Sequence, residues 1–443
     1  MHNREIYDLL GVGLGPFNLG LAALLAPVAE LRAVFLEQKP TFQWHPGLLI
    51  EGSTIQVPFL ADLVTMADPC SPYSFLNYLR AQSRLYHFYF LESFHIPRRE
   101  YNHYCQWVAE QLPSCQFGQR VEAIHLCEDG AETYFEVRSR NGETGAEERY
   151  YARHLVLGVG SVPQVPPCFR DRLGSETIFH SAEFLQKRDR AQQGQSIVVI
   201  GSGQSAAEVF YELLQAQPAH GYRLAWHTRS AGFFPMEYSK LGLEHFSPDY
   251  IHYFHHLPAA KRDEILAQQG LLYKGISFAM IGQIYDLLYE RTVAGECPPV
   301  ELRSLLEVKE IEDIEPLGET ASPRYRLSYR HGQQESRWSH DADCVILATG
   351  YRHGIPACVE GVRSLIAWDD QGRYSVDANY RLALTRDVDH QIFVQNGELH
   401  THGIGAPDLG LGAHRSAVII NTLLGEERYP VRSRNVFQSF GVA

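Results

Sequence analysis

The sequence lacks any run of about 18 apolar residues, so no segment is typical of a membrane span. Its first residues, MHNREIYDLLGVG, also lack the basic region, apolar region and cleavage site of a secretory signal peptide. Eight cysteines are scattered along the chain without a CxxC pair, as in reduced proteins of the cytoplasm. We therefore expect a cytoplasmic protein that contacts no membrane, and we expect no metal site.

Positive charge is also scarce. The chain has 39 Lys and Arg against 52 Asp and Glu, which gives a formal net charge of -13. Such a surface repels nucleic acid and anionic lipid, so neither is an expected partner. The composition, 45% hydrophobic and 21% charged, is that of a folded globular protein, and 443 residues are enough for two or three domains.

The first motif is a glycine-rich turn near the N-terminus. A short apolar run, 6–10, leads into GVGLGPFNLGLAALLA, and a second apolar run, 33–36, ends at an acid. This order predicts a strand, a turn, a helix and a second strand that bind a dinucleotide pyrophosphate at the helix N-terminus, with the acid accepting from ribose hydroxyls. A glycine turn without a ligand is the weaker interpretation. The residues concerned are Gly11, Gly13, Gly15, Pro16 and Glu37.

A second turn of the same kind lies about 190 residues later. SIVVIGSGQSAAEVFYELL predicts another strand, turn and helix, with Gly201, Gly203 and Ala206 in a GxGxxA pattern. The next predicted strand ends in HTRS rather than in an acid. A cation at Arg229 suits the 2′-phosphate of NADPH, although a solvated loop arginine is the competing interpretation. Two dinucleotide folds in one chain indicate a flavin at the first turn and a nicotinamide at the second.

The order of the elements predicts an α/β protein with two Rossmann-like dinucleotide-binding domains and a small substrate region. We assign residues 1–165 and 340–443 to an FAD-binding domain that also carries substrate-site segments. Residues 166–339 form an NADPH-binding domain, with an inserted helical substrate segment at about 235–295. The second domain is thus inserted within the first.

The motifs together resemble one family. GVGLGPFNL, FQWHPG, FLADLVTMADPCSPYSFLNYL, PRREYNHYCQWVA, VVIGSGQSAAEVF, VILATGY and THGIGAPDLGLGAHRSA follow in that order between residues 11 and 417. The sequence resembles the microbial siderophore amine N-hydroxylases, the L-lysine N6- and L-ornithine N5-monooxygenases. The resemblance implies that FAD, reduced by NADPH, captures O2 as a C4a-hydroperoxide, that NADP+ is retained, and that a neutral amine attacks the distal oxygen. It also implies a homodimer or homotetramer.

The resemblance assigns roles to residues in three regions. Around the flavin it implies Trp44, His45 and Gln56, besides the residues of the first turn. Around NADPH it implies Gly201, Gly203, Gln204, Ser205 and Arg229. The C-terminal loop would close the flavin site with Thr401, His402, Gly403, Asp408 and Leu409. Core packing is the competing interpretation for Trp44, and a structural hydrogen bond for the loop histidine. No side chain stands out as a catalytic acid or base.

Three positions depart from the pattern of the amino-acid hydroxylases in this family. Their FLKDL segment, whose lysine pairs with the substrate α-carboxylate, is FLADL here, with Ala61 at that position. Leu243 stands where a polar residue meets the amino-acid head, and Gly410 replaces a serine. An unpaired carboxylate in a closed site would cost several kcal/mol. We therefore expect a substrate without a carboxylate.

An aliphatic diamine meets this requirement, and we favour cadaverine over putrescine, hydroxylated for hydroxamate siderophore biosynthesis. Asp408 and Glu244 are candidates for binding the distal ammonium, and Gly275 is a further substrate-site candidate. A replacement cation such as Lys240 would instead keep the substrate an amino acid, either L-lysine or L-ornithine.

Three other functions compete with this interpretation. A Baeyer–Villiger-type or sulfide monooxygenase shares both glycine turns but would lack THGI near the C-terminus. A flavin disulfide reductase needs a CxxC or CxxxxC pair, which the sequence lacks. A nucleotide-sensing protein on a degenerate flavoprotein fold is disfavoured by the intact motifs at both turns.

Overall fold

The structure is a computed structural model that describes residues 5–129, 132–314 and 324–442. Two parallel-stranded sheets with flanking helices form its framework, so the predicted α/β class with two Rossmann-like units is confirmed. Within the described residues, no helix combines the length and the apolar character that a membrane crossing requires.

The first part of the chain builds most of the first sheet. Its strands are β1 (Ile6–Val12), β2 (Ala33–Leu36), β3 (Cys115–Gln116), β4 (Gln119–Asp129), β5 (Glu132–Asn141), β6 (Glu147–Leu157) and β7 (Ser161–Pro163). Its helices are α1 (Pro16–Leu25), α2 (Phe75–Ala81), α3 (Leu85–Leu91) and α4 (Arg98–Ala109). Strand β1 is parallel to β2 and β6, whereas β4 and β5 form an antiparallel extension. The C-terminal ends of the central strands, 9–12 and 155–157, are apolar because helices and loops cover both faces there.

The middle part of the chain builds the second sheet and the inserted helices. Its strands are β8 (Ile178–His180), β9 (Ser196–Ile200), β10 (Arg223–His227), β11 (Val300–Arg303), β12 (Leu306–Asp313), β13 (Tyr325–His331), β14 (Arg337–Ala342) and β15 (Cys344–Leu347). Its helices are α5 (Phe184–Ala191), α6 (Gln204–His220), α7 (Lys240–Leu243), α8 (Pro248–His255), α9 (Ala259–Gln268), α10 (Gly270–Tyr273) and α11 (Phe278–Glu290). The second sheet has the order β11-β10-β9-β15-β8, and β12 to β14 form a separate antiparallel sheet.

The last part of the chain returns to the first sheet. Its elements are β16 (Tyr351–His353), β17 (Ile392–Val394), α12 (Leu399–His402) and α13 (Gly412–Leu424). Strand β17 pairs with β6 in the first sheet, and β16 pairs with β7 in the two-stranded link between the sheets.

The position of β15 corrects the expected domain boundary at residue 340. The segment CVIL pairs with β9 and β8 in the middle of the second sheet, so the second unit continues to Leu347. The correction follows from pairing between strands that are more than 140 residues apart, which the local sequence does not encode. The helical segment expected at about 235–295 corresponds to α7 to α11.

A buried ion pair joins the two units. Arg98 on α4 donates two hydrogen bonds of 2.8 Å to the carboxylate of Glu208 on α6, and a third to the carbonyl of Leu48. The side chains are only 10% and 1% exposed. Because both charges are removed from water, either one would be strongly destabilising without its partner. The pair therefore fixes α6 against the first unit.

Candidate active site

A single large cavity of about 4080 Å³ lies between the two units and is lined by both glycine turns. Pockets for one small molecule usually measure about 300 to 1,000 Å³. This cavity therefore has room for two dinucleotides and a small substrate together.

The first glycine turn brings bare backbone to the cavity. A Cβ on Gly11 would lie 2.1 Å from Cδ1 of Phe35. Gly13 has φ +83°, and a Cβ there would lie 2.7 Å from the carbonyl oxygen of Gly158. A Cβ on Gly15, in contrast, would meet nothing within 4 Å, and no side chain caps the helix that begins at Pro16. Free N–H groups at an open helix N-terminus form the cradle that a pyrophosphate requires.

Glu37 follows β2 and lies across this turn, as the sequence predicts. Its Oε2 accepts from the backbone N–H of Leu14 at 2.8 Å, and its Oε1 accepts from that of Lys39 at 3.0 Å. Each oxygen keeps a lone pair for a further donor. The fixed carboxylate can therefore accept from two ribose hydroxyls of a bound FAD.

The residues expected around the flavin ring line the same cavity. Trp44 and His45 contact each other edge to face with ring centroids 5.1 Å apart, and His45 also contacts Tyr351. Burial, followed by the charges of Arg98 and Lys39, lowers the pKa of His45 to about 4. His45 is therefore neutral at physiological pH and adds no charge to the flavin site.

The second glycine turn has the same features as the first, namely tightly packed glycines and an uncapped helix N-terminus. Gly201 adopts φ +152°, and a Cβ there would lie 2.1 Å from the carbonyl oxygen of Ala348. Gly203 precedes α6, whose N-terminus has no side-chain cap. The turn residues Gly201, Gly203, Gln204 and Ser205 and the exposed Arg229 after β10 all line the cavity. This arrangement suits a second pyrophosphate with a cation for a 2′-phosphate.

Gln204 also has a structural role that the sequence did not predict. Its Nε2 donates to Oε1 of Glu208 at 3.0 Å, and its Oε1 accepts from the backbone N–H of Ser277 at 2.7 Å. The buried pair of Arg98 and Glu208 thus continues through Gln204 to the inserted helices. The backbone of Gln204 and the second N–H of its Nε2 are left for contact with a pyrophosphate.

The C-terminal loop corrects three of the expected contacts. Among the described residues, Asp408, Leu409 and Gly410 line the cavity, but Thr401, His402 and Gly403 do not. Thr401 Oγ1 donates to the carbonyl of Glu398, and the His402 ring stacks on Tyr380 with centroids 4.4 Å apart. Both side chains are buried behind the cavity wall, so they support the loop rather than contact a cofactor.

Arg415 holds this loop in place. Its Nη2 donates to the carbonyl of Ala406 at 2.7 Å, and its Nη1 lies 3.0 Å from Oε1 of Glu398. The side chains of Arg415 and Glu398 are 0% exposed. The loop that ends in Asp408 is therefore fixed from beneath.

Two of the three departures from the family pattern meet in space. A Cβ on Gly410 would lie 3.8 Å from Cβ of Ala61 and 2.8 Å from Oδ1 of Asp408. Ala61 is buried, and Leu243 lines the cavity from α7. Gly275 also lines the cavity, where a Cβ would lie 2.6 Å from the backbone nitrogen of Met236, so a side chain there would force the backbone segments apart.

Glu244 does not face the cavity, which corrects its assignment as a substrate residue. Its carboxylate accepts from the backbone N–H groups of Phe437 and Gln438 and from Nε2 of Gln438. Its oxygens are thus engaged by the C-terminal segment. Lys240, the alternative cation, does line the cavity and is exposed.

Asp408 is the acid that remains beside Ala61 and Gly410. Its Oδ1 accepts from the backbone N–H of Gly410 at 2.8 Å, and burial raises the pKa of its carboxyl to about 6. The pKa of Tyr238 is raised to about 12, first by burial and second by Asp408, and its hydroxyl donates to Oε1 of Gln56 at 3.1 Å. We call the residues Gln56, Ala61, Tyr238, Asp408 and Gly410 the amine pocket.

Tyr238 was not found from the sequence. It lies in no recognisable motif, and its partner Gln56 is 182 residues away in the chain. His414 was also missed: it lines the cavity from α13, and burial lowers its pKa to about 4.

Comparison with known proteins places the chain in a family. Residues 5–353 match the model of L-lysine 6-monooxygenase/L-ornithine 5-monooxygenase. A rhizobactin siderophore biosynthesis protein of Rhizobium meliloti is 46% identical over 98% of this chain and 95% of its own. A putrescine N-hydroxylase of Shewanella oneidensis is 42% identical over 99% of this chain and 85% of its own.

A solved structure of the same kind covers the whole fold. The FAD-bound cadaverine monooxygenase of the desferrioxamine pathway from Erwinia amylovora has a TM-score of 0.93, with 43% identity and 99% coverage of both chains. FAD and NADPH are the cofactors of these enzymes, in agreement with the two glycine turns. The chain belongs to the L-lysine 6-monooxygenase/L-ornithine 5-monooxygenase family of flavin-dependent N-hydroxylating monooxygenases.

Proposed function

We propose that this enzyme hydroxylates one primary amine of an aliphatic diamine, with cadaverine preferred over putrescine, for hydroxamate siderophore biosynthesis. The observation that carries the proposal is the position of Gly410, where a Cβ would lie 3.8 Å from Cβ of Ala61 and 2.8 Å from Oδ1 of Asp408. The pocket thus lacks the cation that amino-acid hydroxylases carry at position 61, and the acid Asp408 lies beside that position. The similarity to a putrescine N-hydroxylase and to a cadaverine monooxygenase supports a diamine substrate.

The protein's own contribution is to bind and orient the amine. Bound FAD, reduced by NADPH, supplies the activation of O2. Asp408 holds the distal ammonium of the diamine, and the hydrogen bond from Tyr238 to Gln56 closes the pocket between the two units. The neutral reacting amine then lies on the flavin side of the cavity, where the protein excludes bulk water.

The preference for cadaverine is a matter of length. Cadaverine and putrescine differ by one methylene, which is worth about 0.8 kcal/mol when buried, or roughly a fourfold difference in kcat/KM. We therefore expect both diamines to react and cadaverine to react somewhat better.

A product assay tests the proposal. Hydroxylated amine and NADPH oxidation are measured separately for cadaverine, putrescine, L-lysine and L-ornithine with the FAD-loaded enzyme. We expect product from the diamines alone. Hydroxylation of either amino acid at a rate equal to that of cadaverine would contradict the assignment of the amine pocket.

Ala61→Lys tests the pocket directly. A lysine beside Asp408 pairs with its carboxylate and repels an ammonium, and like charges in contact cost several kcal/mol. We expect kcat/KM for cadaverine to fall at least about tenfold, with NADPH affinity unchanged. Ala61→Gln, which adds length without charge, is the matched control and should lower kcat/KM less.

An amino-acid substrate is the second candidate, because Lys240 lines the cavity and is exposed. It could take the place of the missing lysine and pair with a carboxylate. If it does, the enzyme hydroxylates L-lysine or L-ornithine, and Lys240→Ala removes that activity. If the substrate is a diamine, Lys240→Ala leaves kcat/KM for cadaverine within about twofold.

We further propose that the enzyme is a cytoplasmic homo-oligomer. No two of the eight cysteines form a CxxC pair, which suits a reducing compartment. Helix α3 exposes Tyr86, Tyr89 and Phe90 by 79%, 71% and 74% and has no charged residue between 85 and 91. An uncharged apolar surface lets two copies of an acidic chain meet without repulsion.

The oligomer has its own test. Light scattering on the eluted protein should give a mass of at least two chains, and the double substitution of Tyr86 and Phe90 by serine should reduce it. An unchanged mass would place the interface elsewhere, and a wild-type mass of one chain would exclude the oligomer.

A further inference from the structure

A cluster of two histidines and a glutamate is formed by strands of the second sheet and of the separate antiparallel sheet. His227 ends β10, Glu301 lies on the neighbouring strand β11, and His340 lies on β14. Within the described residues, none of the three lines the cavity. The proposed reaction therefore makes no use of them.

The three side chains have the spacing of metal ligands. One ligand atom from each lies within 4.8 Å of the other two, and Nε2 of His227 is 3.5 Å from Oε1 of Glu301. In a tetrahedral site with bonds of about 2.0 to 2.1 Å, neighbouring ligand atoms are about 3.4 Å apart. A small contraction of the cluster thus brings all three atoms to bonding distance of one ion.

Two ring nitrogens in this cluster have no hydrogen-bond partner. Nε2 of His227 and Nε2 of His340 are both buried and unpaired, and the His227 side chain is 0% exposed. Leaving a buried polar atom unpaired costs about 1 to 3 kcal/mol, so the fold would not be expected to retain two side by side without a ligand.

The surroundings orient the ligands. The Tyr329 hydroxyl lies 2.9 Å from Nδ1 of His227, which leaves Nε2 directed at Glu301. Arg303 donates to the carboxylate of Glu301 from the other side and stacks over Trp338 at 4.5 Å. Such partners of the ligands fix ring orientation and carboxylate position in metal sites.

We propose that His227, Glu301 and His340 bind one divalent transition-metal ion, for which Zn2+ is the preferred candidate. Two imidazoles and one carboxylate are a donor set that suits zinc, with a water molecule in the fourth position. The ion would join β10, β11 and β14, and its ligand His227 lies two residues before Arg229. Its role is structural: it would stiffen the loop that carries the cation for the 2′-phosphate.

Zinc binding to the full-length, FAD-loaded protein tests this proposal. The protein is treated with a chelator, checked for retained flavin, and titrated with Zn2+ by calorimetry, with elemental analysis after desalting. We expect one Zn2+ per chain above any background. X-ray absorption at the zinc edge should show nitrogen and oxygen donors and no sulfur.

Variants separate this cluster from the other histidines. Glu301→Gln and His340→Gln should each weaken Zn2+ binding more than about tenfold, whereas His331→Gln, at a half-buried histidine on β13 outside the cluster, should not change it. The first two positions are not fully buried, so these variants test the site even if changes at His227 impair folding. Equal zinc binding by wild type, Glu301→Gln and His340→Gln, or no stoichiometric binding by wild type, would overturn the proposal.

Discussion

Asp408→Asn is expected to make the enzyme more stable and less able to bind its substrate. The pKa of this carboxyl is raised from 3.8 to about 6, chiefly by burial. A rise of about two units corresponds to about 3 kcal/mol of destabilisation when the group is ionised, since each unit is worth about 1.4 kcal/mol. Asparagine keeps an oxygen for the N–H of Gly410 and removes the charge, so up to that amount should be recovered.

The stability gained by Asp408→Asn increases as the pH rises through the pKa of the carboxyl. A carboxyl whose pKa is higher in the folded state binds its proton more tightly there, so its ionisation lowers stability as pH rises from about 4 to above 6. Wild type and Asp408→Asn should therefore have similar thermal midpoints near pH 4. Above pH 6.5 the variant should be more stable by several degrees.

Catalysis should change in the opposite direction. Loss of a charged partner for the distal ammonium costs about 1.5 to 3 kcal/mol, so KM for cadaverine should rise at least about tenfold while KM for NADPH stays constant. The assays are thermal unfolding of the FAD-loaded protein from pH 4 to 8 and steady-state hydroxylation. If Asp408 only caps the turn 409–411, the variant will be less stable at every pH and its KM for cadaverine will be unchanged.

Two further predictions concern the junction of the units and the second cofactor. Glu208→Ala leaves the Arg98 guanidinium buried and unpaired, so stability should fall by about 3 to 5 kcal/mol, measured by urea unfolding. The double variant Arg98→Met, Glu208→Leu should recover most of the lost stability, because it leaves no buried charge unpaired. If the double variant is as unstable as Glu208→Ala, the burial of an unpaired charge is not the cause. Arg229→Ala should raise KM for NADPH at least about tenfold and leave KM for NADH nearly constant, because only NADPH carries the 2′-phosphate. Equal changes in KM for the two coenzymes would show that Arg229 does not bind the 2′-phosphate.

The cofactor-binding turns are determined by the sequence alone. Each is a local arrangement of strand, turn and helix, and its chemistry resides in the backbone of a few consecutive residues. Gly13 and Gly201 adopt positive φ values that favour glycine, and Glu37 directly follows the strand, where the fingerprint places it. The departures at Ala61 and Gly410 could likewise be read from the motifs, because their neighbours in sequence identify the positions.

The tertiary structure decided which polar residues of each segment face the cavity. In the loop THGIGAPDLGLG, the local pattern does not distinguish Asp408, which lines the cavity, from Thr401 and His402, which are buried behind it. Packing of Arg415 beneath the loop sets that difference. Glu244 was assigned wrongly because its hydrogen-bond donors, at 437 and 438, lie more than 190 residues further along the chain.

Long-range pairing decided the remaining features for the same reason. Strand β15 belongs to the second sheet because its hydrogen bonds run to β8 and β9, and Tyr238 reaches Gln56 only when the two units meet. His227, Glu301 and His340 come from three strands of two sheets and carry no common motif. The sequence by itself determines what a short segment's backbone can bind, whereas the encounter of distant side chains depends on strand order and packing, which only the folded chain establishes.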